Sequence, residues 1–165
     1  MREAIVARYF PWAAALLAPS LATKVDEPSA ASEEPELAGR DGAFRKAVIR
    51  AYDFQCAACG LRIKIDELGI TFVDAAHLIP FSASRNDHPT NGIALCKNHH
   101  WAMDNHLIAP TPEGVWRVSK KALAHRSAGE RELLRLEEGA ILVPAEPAYA
   151  PHPDGLKWRA ARLTA

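Results

Sequence analysis

An α+β fold is predicted from three observations. Phe44, Val48, Ile49 and Tyr52 repeat at the spacing of one helical face, and a β-rich run follows at residues 70–79. Around that run stand two half-sites, Cys56-x-x-Cys59 and Cys96-x-x-His99, in the format of a closed tetrahedral zinc site.

Along the chain, residues 1–22 form an apolar arm. Its run from Phe10 to Ala22 is too short to span a membrane, and Glu3 and Arg8 intrude on the arm ahead of it. A secretory signal sits poorly with thiolate metal ligands, so the arm is read as a short helix that packs on the domain or on a partner. Residues 23–40 are rich in acidic, small and proline residues and are read as a flexible linker. The folded part is placed at 41–165, with its core at about 54–110.

Asp41 is placed to cap the first helix, which ends near Phe54. The strand at 70–79 stops at Pro80, with His77 near its end. Residues 81–92 carry loop signals throughout, and 95–107 read as the second half-site running into a short helix. Strands are expected at 114–119 and 140–143, a helix capped by Ser127 between them and running to Glu138, and a closing helix at 154–163.

The 165 residues contain 48% apolar side chains, which excludes a wholly disordered or collagenous chain. With 20 Lys and Arg against 20 Asp and Glu, a broadly basic nucleic-acid coat is excluded as well. Residues after position 40 hold 16 basic and 14 acidic side chains, so the folded part is mildly positive. Three cysteines cannot close a pure disulfide framework, whereas Cys56, Cys59, Cys96 and His99 make a complete ligand set for structural Zn²⁺. That chemistry favours a reducing, cytoplasmic setting.

A second constellation accompanies the first. His77 and Asn91 lie between the half-sites, and His100 and Asp104 share a helical face just after them. An imidazole and a carboxylate so placed suit an open-coordinated divalent cation, and His77 is placed to deprotonate a water.

The text Ala75-Ala-His77-Leu-Ile-Pro80, then Asn91-Gly-Ile-Ala-Leu-Cys96-Lys-Asn-His99-His100 with Asp104, resembles the HNH endonucleases, especially their restriction-type branch. Phe44 to Tyr52, Cys56-Ala-Ala-Cys59-Gly60 and Pro153-Asp-Gly-Leu-Lys-Trp158 extend the resemblance across about residues 41–160. The resemblance implies a ββα-metal core stapled by zinc, flanking helices and a small C-terminal α/β extension. It makes His77 the general base, Asn91 the residue that orients it and holds the loop, and His100 and Asp104 the ligands of a catalytic Mg²⁺ or Mn²⁺. Where many members carry a ligand directly before the base, this chain has Ala76. Either Asp74 substitutes through a bulge or a bridging water, or the cation keeps two protein ligands. The implied activity is hydrolysis of DNA phosphodiester bonds in a restriction or defence setting. A catalytically silent zinc module, binding nucleic acid or protein, and a toxin-type nuclease effector are the alternatives.

Arg85, Lys97, Arg62 and Lys64 are the candidates for phosphate contacts. Trp101 is expected to pack its helix against the sheet. So small a module has little surface for reading bases, so a homodimer or a separate recognition subunit is the expected partner besides DNA, and no membrane is implied.

Overall fold

The computed structural model describes residues 35–124 and 127–164. The arm at 1–22 and the linker up to residue 34 lie outside them. Helix α1 covers Pro35–Ala51 and begins seven residues earlier than an Asp41 cap would allow, so residues 35–40 are helical rather than linker. Its predicted apolar face is the buried one: Phe44, Val48, Ile49 and Tyr52 are each no more than 3% exposed. Asp53 and Phe54 take left-handed backbone (φ 48° and 59°) and stop the helix where the first cysteine pair begins.

A small hairpin follows, β1 (Lys64–Ile65) pairing antiparallel with β2 (Ile70–Thr71). The predicted strand 70–79 is therefore two pieces. The Phe72 N–H donates to Ile63, and only beyond it does β3 (Val73–His77) change partner. One-turn helix α2 (Phe81–Ser84) and a 3₁₀ turn at Pro89–Asn91 occupy the expected loop. Strand β4 (Gly92–Cys96) then pairs antiparallel with β3, from Val73 opposite Cys96 to His77 opposite Gly92. Helix α3 (Lys97–Asp104) starts directly from β4 and turns Ala102 and Met103 into the core. Strands β3 and β4 with α3 form the ββα unit.

Two glycines let neighbouring helices come close to this unit. A Cβ on Gly92 would lie 2.5 Å from Val48 and 2.8 Å from Phe44, so α1 reaches the end of β4 only because that side chain is missing. A Cβ on Gly155 would meet Leu78 at 2.9 Å, which brings helix α5 (Pro153–Ala160) against the residue that follows His77.

Strands β5 (Ile108–Pro110) and β6 (Trp116–Val118) form the extension, with buried Trp116 donating its indole N–H to Ala57 at 3.3 Å. Ser127 caps helix α4 (Ala128–Leu134) as expected, in a reciprocal box with Glu130. The helix ends four residues short of Glu138, which itself adopts φ 60°. Residues 140–143 are not a strand. Ala140 makes a single bridge to Val115, then Ile141 donates to Gly114 and Leu142 to Ala57, so successive amides find different partners instead of one ladder. No described helix is long and apolar enough to cross a membrane.

Candidate functional site

The four frame residues converge. The metal-ligating atoms of Cys56, Cys59, Cys96 and His99 all lie within 4.8 Å of one another. Gly60, at φ 69°, turns the first knuckle and donates its N–H to Cys56, and Ala57 donates to Ala94, so the knuckle is laced to β4. The His99 Nδ1 sits 3.2 Å from the Cys96 sulfur and 3.5 Å from that of Cys56. Cys56 is favoured as a thiolate, chiefly because the Cys96 thiol hydrogen-bonds to it, and the same contact pushes Cys96 up. Burial pushes Cys59 up. Three thiols crowded into one pocket cannot all ionise unaided, and a divalent cation offsets their charge. The donor set and its closeness fit zinc.

His77 ends β3 with its imidazole stacked on Phe44, ring centres 4.0 Å apart and planes 10° from parallel, while Phe81 closes in at 6.3 Å. Its Nε2 meets Asp87 Oδ1 at 3.1 Å. Asn91 is buried and grips the loop behind His77. Its side chain accepts from the Ile79 N–H at 3.0 Å and donates to the Ile79 and Asn86 carbonyls, each at 2.9 Å. It therefore holds the loop directly and His77 only through the backbone.

On α3, His100 Nε2 lies 3.3 Å from Asp104 Oδ2, four residues on. Burial disfavours the Asp104 carboxylate, but hydrogen bonding and charge from His100 and the nearby Arg159 cation outweigh it and hold its pKa below the usual range. Among the described residues, the zinc frame is the sole cluster of three or more potential ligands, so His100 and Asp104 offer a cation two protein ligands and open positions. Asp74 does not complete that set. Its carboxylate is engaged by Arg45 at 3.2 Å and by Lys97, which hold its pKa down against burial. It lies 3.9 Å from His100 Nδ1, across the ring from the nitrogen that meets Asp104. Ala76 is fully buried opposite Ile93, a packing residue in the place of a ligand.

Of the phosphate candidates, Arg62 is bound to Asp53 and Lys64 to Asp66 on the small hairpin, and Lys97 to Asp74. Arg85 is exposed and forms no ion pair with another described residue. Trp101 departs from its expected packing role. It is 62% exposed, because the adjacent Ala102 and Met103 take the sheet-facing positions and one step along a helix turns a side chain about 100° away.

Sequence reasoning missed Asp87 and Arg159. Asp87 stands in a loop whose composition signals only solvation. Arg159 follows directly on the Pro153–Trp158 stretch, yet nothing local links it to Asp104, which its Nη2 contacts at 3.0 Å.

Comparisons with known proteins agree with this geometry. Residues 56–109 match the family model described as HNH endonuclease. Among solved structures, the chain is similar to a modification-dependent TagI restriction endonuclease, with a TM-score of 0.53 and 19% identity over 74% of this chain. The likeness covers 38% of that longer chain. No functionally curated protein matches. The segment 56–109, which holds the Cys₃His cluster and the ββα unit, thus matches the HNH endonuclease family, and the structural neighbour shows a similar fold.

Proposed function

We propose that the protein is a metal-dependent endonuclease that hydrolyses DNA phosphodiester bonds, with His77 as general base. The observation that carries this reading is the pairing of a carboxylate-held histidine with a two-ligand cation site on the neighbouring helix. Asp87 accepts a hydrogen bond from the Nε2–H of His77, which leaves the lone pair on Nδ1 to accept a proton from an attacking water. Phe44 fixes the plane of the ring and Asn91 the backbone beyond it. His100 and Asp104 would hold the Mg²⁺ or Mn²⁺, which supplies compensation for the charge that builds on phosphorus and the leaving oxygen. Zinc in the Cys₃His frame would be structural: with all four ligand positions supplied by protein, it keeps no place for water or phosphate.

Arg85, exposed, stacked on Phe81 and without an ion pair among the described residues, is the first candidate for the DNA backbone, with Lys97, Arg62 and Lys64 as secondary contacts. Base reading falls to a second copy or a recognition subunit, because the ββα unit is small and one base with one cation site cuts one strand at a time. A restriction or defence role in the cytoplasm suits reduced thiols at a metal frame.

The test is nicking of supercoiled plasmid by the zinc-loaded chain in Mg²⁺ or Mn²⁺, with EDTA and His77→Ala controls and a single-stranded RNA arm. Metal-dependent nicking lost in His77→Ala is the expected result. Equal nicking by the variant sinks the assignment, and salt-sensitive DNA binding with no cutting in any metal identifies a silent zinc module instead.

A further inference from the structure

Arg159 is 3% exposed, although it carries a charge. Its guanidinium reaches into the ββα unit from α5. Nη2 donates to the His77 carbonyl at 2.6 Å and to Asp104 Oδ1 at 3.0 Å, and Nη1 donates to the Met103 carbonyl at 3.2 Å. Nε has no partner among the described residues. Burial works against the cation, with Asp104 opposing that only in part. An apolar side chain of the same length would anchor α5 without this desolvation, so adhesion alone does not account for an arginine here.

We propose that Arg159 is a positioning residue that sets the register between the base and the cation site. The proposal rests on the nuclease reading. One nitrogen, with two hydrogens held in a fixed plane, ties the strand end that carries His77 to the helix end that carries Asp104. By taking Oδ1 of Asp104, it leaves Oδ2 turned to His100. A lysine ammonium offers the charge but no planar fork. The guanidinium also draws negative charge away from Asp104, so its removal does not weaken cation binding. What is lost is the alignment of the base, and misplacement of about 1 Å costs about 100-fold in rate.

The experiment compares Arg159→Met and Arg159→Lys with wild type in the full, zinc-loaded chain. Zinc content and thermal unfolding report the fold, Mn²⁺ binding followed by electron paramagnetic resonance reports the cation site, and plasmid nicking reports the reaction. Both variants are expected to keep their zinc, unfold cooperatively and bind Mn²⁺ as tightly as wild type or more so, yet nick about 10- to 100-fold more slowly. Should Arg159→Met fail to fold, Arg159→Lys decides by the same split. Wild-type nicking in either folded variant overturns the proposal, and so do zinc content, Mn²⁺ binding and nicking falling together, which would make Arg159 ordinary scaffolding. A wild-type chain that does not nick, or one matched by His77→Ala, instead removes the nuclease reading itself.

Discussion

His99 and His100 are neighbours on one helix and belong to two clusters built on opposite plans. The zinc frame is closed: four ligands, two of them buried cysteines, converge from two short motifs whose spacing sets the geometry. The second cluster is open. His77, Asp87, His100 and Asp104 remain partly exposed, and their arrangement depends on Phe44 from α1 and Arg159 from α5. A closed frame resists change because its ligands are its own support. An open site must leave room for substrate and water, so its precision comes from elements outside it.

The comparison breaks first at the frame. Cys96→Ser is expected to abolish cooperative unfolding and all activity, because a structural zinc contributes about 10 kcal/mol or more in small modules, comparable with the whole stability of a domain. A variant that retains zinc and a wild-type melt would show the frame to be dispensable. In the open cluster the fold should survive. His77→Ala is expected to keep its zinc and lose about 10²- to 10⁴-fold in nicking rate, the usual worth of a general base. Asp104→Asn should weaken Mn²⁺ binding and slow nicking about 100- to 1000-fold, as charge compensation at the phosphate falters. Asp87→Asn removes only a charge-assisted hydrogen bond to the base, so a loss of about 10- to 100-fold is expected, with Mn²⁺ binding unchanged. Loss of Mn²⁺ binding in that variant would instead place Asp87 at the cation. The smallest effect belongs to Arg85→Ala, expected to lower the salt dependence of DNA binding by about one counterion without changing the cutting step.

Much of the frame and the ββα unit is legible in the sequence. The apolar period Phe44, Val48, Ile49 and Tyr52 marks the buried face of α1, and paired half-sites with two-residue spacers allow few other readings. Both signals are local: one helical repeat and one ligand spacing. Legibility fell where the outcome depends on competition between distant partners. Residues 140–143 have strand composition, but their amides are shared between Gly114 and Ala57. Trp101 has the composition of a core residue and lost the core positions to Ala102 and Met103.

The sequence by itself determined the α+β class, the Cys₃His cluster that could hold zinc and the helical pairing of His100 with Asp104, because each follows from spacing along a few residues. Tertiary structure alone decided which carboxylate meets which imidazole nitrogen. Asp87 holds His77, and Asp74 faces the far side of His100 in the grip of Lys97 and Arg45. It also brought Arg159 onto partners 55 and 82 residues earlier in the chain. No local pattern encodes a contact of that kind. It exists because Gly155 and Gly92 let α5 and α1 approach the strands closely enough for their side chains to enter the site.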